Sequence, residues 1–244
     1  MSAMGHDAMQ LEGAEAGPLI DEVGLLASRL PLNRARLIEL GCGAAVTTRA
    51  LAKLGRLESI LALEVDEVQH RKNLAAPPTP RVTFARGGAE AIPAEDASAD
   101  VVLMLRSLHH VPIEAMDTAL GEVHRVLRPG GLAWILEPVY AGDFNAIMSV
   151  FNDEEVVRRE AFEAVRRAVE GGLFELVEER FYRTPRVFPD FETFERRVIG
   201  ATFNDLTVDA TTLADVRRRF DAHMTPAGAH FAPPIRVDLL KRPA

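Results

Sequence analysis

The stretch Leu37-Ile38-Glu39-Leu40-Gly41-Cys42-Gly43-Ala44-Ala45 runs from an apolar strand segment into a turn of small residues, where a ligand can touch the backbone. In doubly wound sheets the crevice beyond the carboxyl ends of the strands takes nucleotide-type ligands, and the helix that follows offers unpaired N–H groups. A dinucleotide fingerprint would place its third glycine at Val46, where a branched side chain obstructs helix–strand packing. Glu39 would also face a pyrophosphate with like charge, whereas it would attract an ammonium group. His109 and His110 follow a later strand segment at the mouth of the same crevice. An imidazole of ordinary pKa, about 6.5, can take a proton from an oxygen or nitrogen nucleophile, and loop hydrogen bonding before Pro112 is the alternative for this pair. Glu137, Tyr140 and Asp143 stand at and after the next strand end, where they would line an acceptor pocket or serve only as caps. Cys42 reads as a small turn residue, with nothing nearby to make it a poised thiolate.

The elements that must position these residues follow an α/β rhythm from Ala35 onward. Strands are expected at Arg36–Leu40, Ser59–Leu63, Arg81–Ala85, Asp100–Leu105 and Leu132–Leu136. Helices are expected over Thr47–Leu54, Glu67–Leu74 and the stretch bearing Met116, Leu120, Val123 and Leu127. The Arg128-Pro129-Gly130-Gly131 run reads as a stop before the fifth strand. Beyond Pro138, Asp153–Glu170 reads as a charged lid or cap helix, Phe174–Tyr182 as a strand, and Ile235–Leu240 as a last strand returning to the sheet. Two helices, near Phe191–Ile199 and Thr212–Ala222, fill the interval before that return, and an amphipathic segment spans Ile20–Leu30. The fold class is therefore α/β, a Rossmann-like, mostly parallel, seven-stranded sheet with helical cap insertions. Its expected divisions are an N-terminal helical segment (1–34), a ligand-binding core (35–140), a cap helix insertion (141–173) and C-terminal strands carrying a second insertion (174–244). Each insertion is short for an independent core, so both are expected to pack on the main domain.

Composition narrows the partners. The 36 acidic and 28 basic side chains leave a net charge of −8, and the arginine pairs at 158/159, 166/167 and 196/197 alternate with glutamates, so no nucleic acid partner is expected. No apolar run approaches the roughly 20 residues of a membrane span. The first basic residue is Arg29, after five acids, so a secretory n-region is missing. A lone cysteine excludes an internal disulfide and any Cys-cluster metal site, and a cytoplasmic location is the expectation. His6, His70, His223 and His230 show no ligand spacing, and no metal is expected.

Several segments in register, over about residues 35–140, resemble the class I S-adenosylmethionine-dependent methyltransferases, in their small-molecule, ubiquinone/menaquinone-type (methyltransferase type 11-like) branch. Glu39-Leu40-Gly41-Cys42-Gly43 resembles their first motif, and Leu63-Glu64 ends the second strand where the family places its acceptor for the ribose diol. Gly87-Gly88-Ala89-Glu90-Ala91-Ile92-Pro93 resembles the adenine-side loop, Ala99-Asp100-Val101-Val102 the fourth strand, and Leu108-His109-His110-Val111 the segment after it. Glu122 through Gly131 resembles the turn before strand five. The resemblance implies S-adenosylmethionine as cofactor, held by Glu39, Gly41, Cys42, Gly43, Glu64, Val65, Ala89 and Glu90, with Arg106 at its methionine end. It implies methyl transfer to an O or N atom of a small apolar or planar acceptor, leaving S-adenosylhomocysteine, with His109, His110, Glu137 and Tyr140 as catalytic candidates. Two positions depart from the pattern. Ala45 replaces a glycine, tolerable if its backbone angles are ordinary, and Gly88 replaces an acid that accepts from the adenine amino group, a contact then left to Glu90, backbone or water. An NAD(P)-dependent oxidoreductase and a non-catalytic cofactor-binding module are the other classes kept open, as is a homodimer through the cap segments.

Overall fold

The computed structural model describes residues 9–11, 17–201 and 207–244; His6 and Phe203 lie outside these described residues. Five parallel strands form first: β1 (Arg36–Leu40), β2 (Ser59–Glu64), β3 (Val82–Arg86), β4 (Ala99–Leu105) and β5 (Leu127–Pro138). With β6 (Glu175–Arg183) and the returning β10 (Pro234–Lys241) they make one sheet of order β3-β2-β1-β4-β5-β10-β6, in which β10 runs antiparallel to both neighbours. Strand order reverses between β1 and β4, so their carboxyl ends splay loops to opposite sides and leave the crevice that doubly wound sheets use. The central strands β1, β4 and β5 are largely apolar on both faces because helices cover both. α4 (Met116–Val126) packs on one face through Ala119, Leu120 and Val123. α1 (Glu22–Arg29) and α2 (Val46–Lys53) close the other through Leu25, Leu26 and Leu51. Asp21 and Asp66 cap α1 and α3 (Glu67–Ala75) with their carboxylates.

Three expectations are revised. β5 begins at Leu127, because Arg128-Pro129-Gly130-Gly131 does not end before the strand but forms an irregularity within it. The backbone there is satisfied from the far end of the chain, Gly130 N–H donating to the Arg242 carbonyl and Arg242 N–H to the Gly131 carbonyl, both at 2.9 Å. The charged helix α6 (Glu155–Glu170) is not a lid: Ala161, Ala164, Val165 and Ala168 lie in the same core as α4. Only its N-terminal end reaches the crevice. The C-terminal insertion, by contrast, has a core of its own, shared with α5 (Gly142–Met148), a helix that sequence periodicity does not announce.

That second core is aromatic. β7 (Arg186–Phe188), β8 (Met224–Thr225) and β9 (Gly228–Phe231) form a three-stranded sheet of order β7-β9-β8. α7 (Phe191–Phe194), which runs on into a π-helical turn over Glu195–Ile199, and α8 (Ala210–Asp221) cover it. Phe144, Phe188, Phe191, Phe194, Phe220 and Phe231 interlock, the closest pair being Phe194 and Phe220 with centroids 5.0 Å apart. Phe194 is fully buried at the centre. Phe194→Ala is expected to cost about 3–5 kcal/mol locally. Hydrogen exchange should quicken across 186–194 and 210–231 while the amides of β1 and β4 keep their protection. Equal loss of protection in both regions would show that the lid core and the sheet open together.

Candidate functional site

A cavity of about 870 Å³ lies between the carboxyl edge of the sheet and the aromatic lid. Its floor is the turn after β1. Gly41 and Gly43 have φ of +72° and +50°, and a side chain on Gly41 would strike the Ser107 Cβ at 2.7 Å. Ala45 also has a left-handed φ, +55°, so its backbone angles are not ordinary and the methyl group carries strain that glycine would avoid. The amides of Gly41 and Cys42 both donate to the Leu63 carbonyl, at 3.0 and 2.9 Å, which stitches the turn to the end of β2.

Glu64, at that strand end, is buried yet lines the cavity. Its carboxylate accepts from the Gly43 amide at 2.6 Å and from the Asp66 amide at 2.9 Å. Val65, Ala89 and Glu90 line the same end. The Glu90 carboxylate folds over Gly88, within 2.6 Å of where a Gly88 Cβ would stand, and so brings an acid to the position from which the sequence removed one. Glu39 lies elsewhere than expected. It is 2% exposed beneath the turn, is not among the cavity-lining residues, and accepts from the Thr48 hydroxyl at 2.5 Å. Burial pushes its carboxyl up to about 7, against the Thr48 bond and helped by the neighbouring Glu64. Burial, with Glu39 and Glu64 nearby, raises the Cys42 thiol to about 12, so it stays protonated as the turn reading requires.

The other wall is the 3₁₀ turn Leu108–His110 after β4. Glu137, buried at the end of β5, accepts from the Leu108 amide at 2.9 Å and from His109 Nδ1, assigning the proton to that nitrogen. His109 Nε2 then faces Glu154, 3.8 Å away. His110 packs against His109 with centroids 4.1 Å apart and the rings tilted by 43°, and it lines the cavity. Burial and the His109 ring push its pKa down to about 4, against the pull of Glu154 and Glu137. The ordinary value near 6.5, on which its choice as a base rested, does not hold there. Glu137 and Tyr140 do not line the main cavity; both border a separate pocket of about 60 Å³, and the Tyr140 hydroxyl donates to Asp153 at 2.9 Å. Asp143 is exposed in the first turn of α5. Arg106 does line the cavity, but its guanidinium is engaged by Glu22 of α1.

Sequence reasoning missed Glu154, Arg158 and Arg186. Glu154 receives Arg158 at 2.6 Å and Asn152 at 2.7 Å, while Arg158 also donates to Asn145 at 2.7 Å. The i,i+4 spacing of Glu154 and Arg158 was the available signal. His109, His110 and Glu154 present atoms within 4.8 Å of one another, close enough to hold a metal ion. Arg158 already supplies positive charge to that carboxylate, and His109 is already held by the Glu137 carboxylate.

Residues 38–135 match the family described as "Methyltransferase domain". Among curated proteins, phthiotriol/phenolphthiotriol dimycocerosates methyltransferase 1 of Mycobacterium ulcerans is 36% identical over 110 residues, 43% of this chain and 38% of that protein. The 27-O-demethylrifamycin SV methyltransferase of Amycolatopsis mediterranei is 36% identical over 111 residues, 43% of this chain and 40% of that protein. The chain thus spans well under two thirds of the length of these relatives. Among solved structures, the YcgJ protein of Bacillus subtilis superposes with a TM-score of 0.67 over 91% of this chain and 98% of that one, at 15% identity, a likeness of fold. No helix among the described residues is long and apolar enough to cross a membrane.

The buried Glu39 carboxyl makes stability depend on pH. With its folded pKa about 7 against 4.5 in the open chain, the folded state holds a proton that the unfolded state has lost. That stabilisation is complete below pH 4.5 and disappears as pH rises through 7, by about 3 kcal/mol in all. Glu39→Gln keeps an acceptor for Thr48 and removes the titration. In urea unfolding the variant should match the wild type at pH 5 and exceed it at pH 8; a gap of the same size at both pH values would refute the assignment.

Proposed function

We propose, from the premise that residues 38–135 form a class I S-adenosylmethionine-dependent methyltransferase domain, that this protein transfers a methyl group from that cofactor to a small-molecule acceptor held beneath the lid. The observation that carries the reading is the single cavity that joins the Gly41–Gly43 turn and Glu64 to the His109–His110 turn and the lid.

The residues present fit the cofactor. A Cβ at Gly43 would meet nothing within 4 Å, so the turn leaves open space against the backbone, and Glu64 offers a carboxylate that can accept from two hydroxyls of a ribose. Glu90, over Gly88, supplies an acceptor for an adenine amino group, and Val65 and Ala89 give it apolar contact. Glu39 supports the turn from below through Thr48. When bound, the cofactor supplies an electrophilic methyl group on a sulfonium centre. The protein's part is then to align the acceptor and keep water out. Glu137 fixes His109, the tilted His109 ring packs on His110, and His110, neutral at pH 7, lines the cavity. At about 4 it is a weak base, better suited to orienting an acceptor than to removing a proton of high pKa. Transfer to oxygen is supported by the name of the rifamycin relative, and an apolar or planar acceptor by Phe144, Met148 and Val198 in the wall.

S-adenosylhomocysteine should raise the melting temperature, whereas NADH and NADPH should not. Glu64→Ala should weaken binding of S-adenosylhomocysteine by about 1–3 kcal/mol through loss of charge-assisted hydrogen bonds. Unchanged affinity by calorimetry would remove Glu64 from the site.

A further inference from the structure

Charge is segregated along the cavity. Glu64, Asp66 and Glu90, with Lys72, line it beyond β2 and β3, whereas the rest of the wall carries Arg106, Arg158 and Arg186, with Arg196 and Arg197 at the exposed lid. Arg106 is matched by Glu22 and Arg158 by Glu154. Arg186 has no such match among the described residues. It begins β7, is half-buried, and among the described residues its guanidinium makes no hydrogen bond and no ion pair; it lies over the Phe144 ring, 5.0 Å from the centroid. Burial and Arg106 push its pKa down to about 10, with Glu22 opposing and Arg158 adding to the effect, so it is charged at neutral pH.

A guanidinium carries five donors in a planar fork, and one walled in without an acceptor, beside two like charges, costs free energy that an anion would recover. The stack on Phe144 holds the fork in the cavity wall rather than letting it swing to solvent. The flanking surface is apolar, from Phe144, Met148 and Val198.

We infer that Arg186 anchors a carboxylate on the methyl acceptor, so that the acceptor is an amphipathic carboxylic acid with its acid group on Arg186 and its apolar body along Phe144, Met148 and Val198. This rests on the methyl-transfer reading above. Arg196 and Arg197 also line the cavity without an ion pair among the described residues, but both are exposed, whereas Arg186 is half-buried. The cofactor carries a carboxylate too, and protein already saturated with S-adenosylhomocysteine separates the two, since Arg186 would then be occupied if it served the cofactor.

Octanoate and 1-octanol, which share a chain and differ in the acid, separate the two sources when titrated calorimetrically into protein saturated with S-adenosylhomocysteine. Octanoate should bind at least about tenfold more tightly than octanol, the range of charge-assisted hydrogen bonds. Arg186→Met, which keeps the stem over Phe144, should abolish that preference while leaving octanol affinity within about twofold, and Arg186→Lys should restore part of it. Equal affinity of the wild type for octanoate and octanol overturns the proposal without recourse to a variant. An Arg186→Met protein that loses S-adenosylhomocysteine affinity and retains the octanoate preference overturns it as well, and assigns the guanidinium to the cofactor. Failure of the wild type to bind S-adenosylhomocysteine at all would instead strike the methyl-transfer reading.

Discussion

Three carboxylates, Glu39, Glu64 and Glu137, are buried at the carboxyl ends of β1, β2 and β5, and a buried carboxylate must be met by donors or it destabilises the fold. The donors they find all lie in the turns and helix starts above the sheet: the Thr48 hydroxyl in the first turn of α2 for Glu39, the Gly43 and Asp66 amides for Glu64, and the Leu108 amide with His109 for Glu137. The loops that shape the cavity are therefore tied to the strand ends by the same interactions that satisfy the strands' own acids. Neighbouring loops are fixed relative to one another because Glu64 spans from β2 to the turn after β1, and Glu137 from β5 to the turn after β4. The floor and one wall of the cavity are thereby set by the sheet, before any ligand arrives.

Burial does not act alike on these acids. Glu39 has one neutral hydroxyl and an acidic neighbour, and its carboxyl is pushed up to about 7. Glu137 is equally sequestered and burial pushes it upward too, but His109, Arg236 and the Leu108 amide overcome that and hold it below the ordinary carboxylate range. Behind Glu137 the chain continues to Arg236, which pairs at 3.0 Å with Asp238, both buried on β10. Ionised, Glu137 accepts only, so it imposes a single orientation on the His109 ring. A protonated carboxyl would leave that ring free to flip. The buried Arg236–Asp238 pair thus has a purpose that its own weak net stabilisation would not explain.

The parallel half of the sheet was legible because its strands are continuous apolar runs and its breaks are glycine and proline clusters. The seven strands appear where expected within a few residues, apart from the early start of β5. There the Pro129-Gly130-Gly131 run is kept in the strand by Arg242, more than a hundred residues away, which no local pattern encodes. For α6 the alanines at 161, 164 and 168 make its buried face, but the partner of that face is α4, a tertiary fact that charge composition does not carry. The lid strands are two to four residues long, below the length at which alternation can be read. That Gly41, Gly43 and Glu64 line the cavity is in keeping with their places at strand ends, which are local features of the sequence. Glu39 was placed in the cavity since its strand-end position was visible, but the side to which its carboxyl turns was not. Arg186 carries no signal in the chain at all: it matters because the fold leaves it without an acid among the described residues.

The two cores divide the cavity's chemistry in a way that follows from how each is held together. The sheet contributes backbone turns and acids whose positions are fixed by hydrogen bonds to strand ends, and a one-residue change there would disturb the whole network. The lid contributes rings packed mainly on one another, with centroids 5.0 to 6.3 Å apart, and its charged residues, Arg186, Arg196 and Arg197, project from that cluster toward the cavity. Aromatic packing is tolerant of exchange at its rim so long as the volume of the centre is kept. A lid stabilised from within can therefore change the residues it turns toward an acceptor without altering Glu64 or the glycine turn. The lid end of the cavity is free to vary because the sheet end is held by its own hydrogen bonds.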